Sequence, residues 1–331
     1  MTSCANGLGS AGAPAEDVPI AWDQAYLDAT EAYERGDYAT SAELARTAHS
    51  AARAATGADS WETGSMLSLL AAAQLALGNY PEAATAFEAS LATLRRSPDP
   101  EAYADITTAL ANLGELYRQQ GQLERALPYY EEAYRTSEEN LGPDHADTAH
   151  ALAALALIRH ESGALEQAAT DYDSALRRMA DAGITPLEQV NVRENQADLL
   201  MRTGRQDEAQ AALEEILATQ LAHLPPGHPH LAYTLNALGV LADAQEHYED
   251  ALLLYQRALM IRRNALPDGH PAIARVLANM AGTHADMANI ADARASYLQA
   301  ISILQAAHGN DHPDIAEYED ALRERSTGSP P

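Results

Sequence analysis

Small, long and small residues recur in the same relative places seven times along this chain. The triplets are Gly36/Tyr38/Ser41, Gly78/Tyr80/Ala83, Gly121/Leu123/Ala126, Gly163/Leu165/Ala168, Gly204/Gln206/Ala209, Glu246/Tyr248/Ala251 and Ala288/Ile290/Ala293, in steps of 41 to 43 residues. A fixed step of this size marks a stack of identical supersecondary units. Counting back from the first residue of each triplet, the anchor, gives a helix A, and counting forward gives a helix B. Seven residues before the anchor stand Ala29, Ala71, Gly114, Ala156, Ala197, Gly239 and Ala281, and twelve after it Ala48, Ser90, Ala133, Ala175, Ile216, Ala258 and Ala300. Helices approach to about 8 Å only where side chains at the crossing are small, so these positions predict where A meets B and B meets the next A. Larger residues such as Leu110, Leu113, Leu235 and Leu277 from A helices, and Phe87, Tyr130, Tyr172, Tyr255 and Tyr297 from B helices, fill the layers between.

The connectors agree with this division. Gly or Pro stops helix B in Leu141-Gly-Pro-Asp-His145, Leu224-Pro-Pro-Gly-His228-Pro229, Leu266-Pro-Asp-Gly-His270-Pro271 and His308-Gly-Asn-Asp-His312-Pro313. Pro229, Pro271 and Pro313 are expected at the first position of the next helix A, where a missing N–H costs nothing. Thr185-Pro186-Leu187-Glu188 fits a capping box. Two repeats depart from the pattern: the first carries Asp28 where a leucine is expected, and the fifth has Arg193 and Gln196 in helix A where apolar residues are usual.

Small residues at these offsets, with an aromatic nine after the anchor, resemble the tetratricopeptide repeat, and the long step and connector sequences are similar to its kinesin light chain variety. The resemblance implies an all-α fold: a right-handed α-solenoid, or superhelix, of about seven helix-turn-helix units. Asp314 to Arg325 is expected to be a polar capping helix over the last apolar face. The implied organisation is a disordered arm over 1–18, the solenoid and its cap over 19–325, and a disordered tail over 326–331.

Composition narrows the function. Asp and Glu number 48 against 21 for Lys plus Arg, a net charge of −27, which repels phosphate backbones and makes nucleic acid an unsuitable partner. All the basic residues are arginine, as GC-rich coding or adaptation to high salt would produce. The lone Cys4 excludes an intramolecular disulfide framework. Met1-Thr2-Ser3-Cys4 resembles the end of a bacterial lipoprotein signal but lacks the apolar stretch that precedes one, so Cys4 is either a lipidation site dependent on upstream sequence or an idle thiol. A cytoplasmic location is expected, with a lipid-anchored position at the periplasmic face as the alternative. No apolar run approaches the roughly 18 residues of a membrane span.

Catalytic and metal motifs are missing. There is no Gly-x-Ser-x-Gly elbow, a phosphate loop is impossible without lysine, and His160-Glu161 lacks the second histidine of the zinc-protease helix. His145, His228, His270 and His312 share the connector position, 83, 42 and 42 residues apart, and do not converge, so a structural role at helix starts is expected, with no metal and no cofactor. The expected function is therefore non-catalytic.

The resemblance places candidate ligand contacts on the A helices, at positions 13, 10, 9, 6, 3 and 2 before the anchor. In the third repeat these include Asn112, Glu115 and Arg118; in the fourth, His150 and His160; in the fifth, Asn191, Glu194, Asn195, Asp198 and Arg202; in the sixth, Tyr233 and Asn236; and in the seventh, Asn279. Asn112, Asn195 and Asn279 share the place nine before the anchor, where kinesin light chain relatives carry an asparagine that resembles a clamp for a peptide backbone. An amide has both donor and acceptor for that task. Alternatively, it ties neighbouring A helices together. Arg118 and Arg202 could grip a ligand carboxylate or neutralise Glu115 and Asp198. A chaperone-tail receptor is disfavoured, because that clamp uses lysines. These positions predict a scaffold that binds a peptide segment of a partner protein, of unknown identity, in a concave groove. The alternative is a sensor that takes a small molecule or signalling peptide there.

Overall fold

The computed structural model describes residues 21–99, 102–309 and 313–326. Among them are fifteen α-helices and no strand: α1 (Ala21–Glu34), α2 (Tyr38–Thr56), α3 (Trp61–Ala76), α4 (Tyr80–Leu94), α5 (Ala102–Gln119), α6 (Leu123–Leu141), α7 (Ala146–Glu161), α8 (Leu165–Asp181), α9 (Val190–Arg202), α10 (Gln206–His223), α11 (Leu231–Ala244), α12 (Tyr248–Ala265), α13 (Pro271–Asp286), α14 (Ile290–His308) and α15 (Pro313–Ser326). Odd-numbered helices up to α13 are the A helices and even-numbered ones the B helices of seven repeats. The chain divides into two compact units, Met1–Ser162 and Gly163–Pro331, so the division falls inside the fourth repeat.

Each anchor within the two units sits at the turn from A to B in the left-handed backbone region. Gly36, Gly78, Gly121 and Gly204 have φ between 69° and 78°, and Glu246 and Ala288 adopt 62° and 61° despite their side chains. The following N–H reaches back five residues, as in Asp37 N to Ala32 O at 2.9 Å and His247 N to Ala242 O at 2.8 Å. This Schellman closure ends helix A and satisfies its last carbonyls. The same turn thus leads from helix A into helix B in the repeats that lie within one unit.

In the first unit each A helix packs on its B helix (α1 on α2, α3 on α4, α5 on α6) and each B helix on the next A helix. The second unit repeats this with α9 on α10, α11 on α12 and α13 on α14. The small residues seven before, five after and twelve after each anchor are all buried. In two repeats the A-helix position is glycine because a tyrosine from helix B fills the space: a Cβ at Gly114 would lie 2.7 Å from Tyr130, and one at Gly239 2.6 Å from Tyr255. Helix α15 packs on α14, burying Ile315 and Tyr318, with the Tyr318 ring 5.8 Å from that of Tyr297.

The connector histidines cap the A helices. His145 Nδ1 accepts the Asp147 N–H at 3.2 Å, and His270 Nδ1 accepts that of Ala272 at 3.1 Å. His228 Nδ1 accepts the His230 N–H at 3.3 Å, one turn before α11 begins. His312 and Cys4 lie outside the described residues. Thr185 and Glu188 form the expected capping box, Glu188 Oε2 accepting the Thr185 N–H at 2.8 Å. Pro271 and Pro313 open their helices, but Pro229 does not: it lies in a turn two residues ahead of α11, where its carbonyl accepts the Ala232 N–H at 3.1 Å. This connector has the same length as the one before α13, but Pro229 and His230 form a turn where Pro271 and Ala272 are already helical.

Candidate functional site

In the first unit, the successive A helices α5 and α7, with α6 behind them, enclose a cavity of about 430 Å³. Thr107, Thr108 and Asn112 reach it from α5, Asp147 and His150 from α7, and Tyr130 from α6, over a floor that includes Ala111, Ala133, Ala151 and Ala154. Small residues at the helix crossings thus leave a space into which polar groups project from two adjacent A helices. Asn112 makes no hydrogen bond through its amide among the described residues, so both its donor and its acceptor remain for a ligand.

The arginine beside this cavity is already engaged. Arg118 Nε and Nη2 donate to the two Glu115 oxygens at 2.7 and 2.9 Å, and Nη1 donates to Glu161 Oε1 at 2.8 Å. Gln119 and Tyr130 also donate to Glu115, at 2.9 and 3.2 Å. Burial pushes the Glu115 carboxyl up, but the hydrogen bonds from Arg118 and Gln119 and the Arg118 charge more than offset this and hold it below the usual range. Arg118 therefore neutralises Glu115, the second of its two expected roles. His160 sits three before its anchor, as Arg118 does, yet is only 3% exposed. The long arginine extends out to the open face, whereas an imidazole is too short and stays between helices.

In the second unit the asparagine ladder takes its structural form: Asn279 Nδ2 donates to Asn236 Oδ1 at 3.0 Å, joining α13 to α11. Thr283 Oγ1 donates to Asp243 Oδ1 at 2.6 Å along the same pair of helices. Asn195 and Asp198 are partly buried on α9, while Asn191 and Arg202 are exposed.

Glu194 departs from its expected exposure and is 8% exposed. Thr234 Oγ1 lies 2.6 Å from Glu194 Oε1 and 2.9 Å from Gln220 Oε1, and Gln220 Nε2 lies 3.3 Å from both Glu194 Oε1 and the His230 carbonyl oxygen. Thr234 Oγ1 and the Gln220 amide can each donate to the Glu194 carboxyl, and the amide has a second proton for the His230 carbonyl. Burial is the largest effect on this group, raising it from 4.5 to about 7 against the lowering effect of the Thr234 and Gln220 hydrogen bonds.

Tyr233, on α11, lines a second cavity of about 400 Å³ with Asn191 and Glu194 of α9, Arg262 of α12, and His270 ahead of α13. Arg262 was not among the candidate residues, although the sequence carries a signal for it. It stands sixteen after its anchor, where the other repeats have Ala52, Leu94, Ser137, Met179, Gln220 and Leu304, none of them charged and all of them buried. An arginine at a core position calls for an explanation that a groove-facing helix pattern does not supply.

Among the described residues no group of three or more His, Cys, Asp or Glu is placed to hold a metal, and no helix is long and apolar enough to cross a membrane. Tetratricopeptide repeat models match residues 105–181, 188–264 and 273–314. The chain belongs to the tetratricopeptide repeat family. A tetratricopeptide repeat protein from Parabacteroides merdae superposes with a TM-score of 0.63 at 16% identity, covering 92% of this chain and 98% of that one. A signal transduction ATPase with numerous domains from Pyrococcus horikoshii, which has a tetratricopeptide repeat sensor, gives a TM-score of 0.67 at 16% identity over 91% of this chain and 44% of that one. Nearly identical repeats of a putative kinesin light chain from Podosopora anserina match at a TM-score of 0.50 and 18% identity, over 64% of this chain and all of that one. No curated protein matches.

Proposed function

We propose that this chain is a non-catalytic scaffold that holds a peptide segment of a partner protein against its A helices, with the cavity over α5 and α7 as one seat. The observation that supports this reading is the Asn112 amide, without a hydrogen-bond partner among the described residues, beside a cavity large enough for a bulky side chain. Asn112 would take the peptide unit of the guest, His150 and Asp147 would flank it, and the alanine floor would accept an apolar side chain. Arg118 has a positioning part: by holding Glu115 and Glu161 it keeps the helix faces in place beside the seat.

The test fills the seat without disturbing the core. Ala111→Trp and, separately, Asn112→Ala are compared with Asn279→Ala, which removes an amide used between helices. Partner capture from the native host, quantified by mass spectrometry, should fall at least tenfold for the first two relative to the third, with helical content unchanged. Equal capture by the three variants and the parent protein would overturn the reading.

A further inference from the structure

The cavity between α9, α11, α12 and α13 collects hydrogen-bond donors in a chain that is otherwise rich in acceptors. Arg262 Nε is buried and has no hydrogen-bond partner among the described residues. Burial, and then the nearby Arg275 charge, lower the guanidinium from its ordinary value, so two arginines repel each other here with no carboxylate between them. The ion pairs among the described residues of this unit include neither Arg262 nor Arg275. With 48 carboxylates for 21 arginines, two unpaired cations side by side are a marked departure from the rest of the surface. A partly buried cation without a counter-charge is destabilising, and an oxyanion placed beside it offsets much of that.

The other polar groups match an anion in the same way. The Tyr233 hydroxyl has no acceptor among the described residues, and burial followed by the charges of Asp198 and Glu194 pushes it to about 12, so it carries its proton and can donate. His270 uses Nδ1 as the acceptor of its helix cap, which leaves Nε2 as the protonated nitrogen of the neutral ring. Asn191 adds an exposed amide. The one carboxyl in the lining is Glu194, which is buried, already engaged by Thr234 and Gln220, and raised by burial to about 7. Pro229, Ala265, Leu266 and Ala272 supply an apolar wall, with His230 beside Pro229.

We propose that this cavity is a receptor for a small organic anion, a carboxylate carrying an apolar body, held by Arg262 and Tyr233. About 400 Å³ is within the range of small-molecule sites, roughly 300 to 1,000 Å³. The single apolar wall selects a ligand with one charged end, which a multiply charged inorganic anion lacks. The site lies wholly in the second unit and does not depend on the peptide seat over α5 and α7.

The experiment uses the full chain and isothermal titration with three probes: 3-phenylpropionate, 3-phenylpropanol and inorganic phosphate. The acid should bind saturably and at least about tenfold more tightly than the alcohol, a difference of about 1.4 kcal/mol, with phosphate weaker than the acid. Arg262→Leu should lose at least tenfold for the acid and leave the alcohol unchanged, Arg262→Lys should restore part of the loss, and Tyr233→Phe should lose several-fold. Asn112→Ala, in the other unit, should change nothing. Equal binding of acid and alcohol, no saturation by the acid at about 10 mM, phosphate as tight as the acid, or an Arg262→Leu protein that binds like the parent would each overturn the assignment. Should Arg262→Leu fail to fold, Tyr233→Phe and the acid-to-alcohol ratio decide it.

Discussion

The third repeat (α5 and α6) and the fifth (α9 and α10) share a backbone plan and treat a glutamate of the A helix in opposite ways, half-buried in one and buried in the other. Glu115 receives Arg118, Gln119 and Tyr130 and stays ionised below the usual range. Glu194 receives no arginine, is enclosed by Thr234 and Gln220, and rises to about 7. Their interiors differ too. Gly114 admits the Tyr130 ring in the third repeat, whereas in the fifth Arg193 pairs with Glu215 at 2.8 Å and Gln196 with Asp173 at 2.6 Å around a polar crevice of about 460 Å³. The repeat therefore specifies where helices cross and leaves the chemistry between them free to vary.

The strongest way to break this comparison is through pH. A carboxyl whose folded value is raised contributes stability that is fully present below its unfolded value, here 4.5, and is lost as pH rises through about 7. A shift of this size is worth about 3 kcal/mol. Urea unfolding should show wild type losing about that much relative to Glu194→Gln between pH 4.5 and pH 8. Parallel pH profiles for the two proteins would show that Glu194 ionises as freely as Glu115.

Next in size is the effect of one methyl. Gly114→Ala should cost about 2 kcal/mol, because the new Cβ meets the Tyr130 ring. At the same place in the fifth repeat, Ala197→Gly should cost about 1 kcal/mol through added backbone freedom. Thermal melts of both variants test whether the two repeats prefer opposite sizes at one position. Arg193→Leu combined with Gln196→Leu should stabilise by about 1 kcal/mol, since an exposed ion pair is worth little and the crevice offers apolar contact. A fall in melting temperature would instead show that the crevice is a built polar feature. The smallest expected change lies at the anchors, where both compared repeats already have glycine: Ala288→Gly should gain about 0.5 kcal/mol by relieving a positive φ.

The helix boundaries, the buried small positions and the histidine caps were legible because they follow from one-dimensional spacing. Gly121 and Ala126, once placed, determine which face of α5 and α6 is covered. The partners of Arg118 were only half legible: Glu115 is three residues away on the same helix, while Glu161 is brought to it from 43 residues on by the stacking of α7. Glu194 shows the limit of the pattern. Its position faces the groove in the helical period, but the polar Gln220 and Thr234 from α10 and α11 close over it, and nothing in the spacing of α9 encodes that. Arg262 was legible in a different way, as the one cation at a position that is uncharged and buried in the other six repeats.

Two cross-links join α11 to α13, Asn279 to Asn236 and Thr283 to Asp243, a full turn apart on α13. A pair of rivets set apart along a seam resists both sliding and torsion, so these two helices move as a single lever. The neighbouring seam between α9 and α11 is fastened through Glu194 and Thr234, a buried link whose carboxyl gives up its proton as pH rises through about 7. Charge enclosed at that joint works against its closure, so its stiffness follows the acidity of the surroundings.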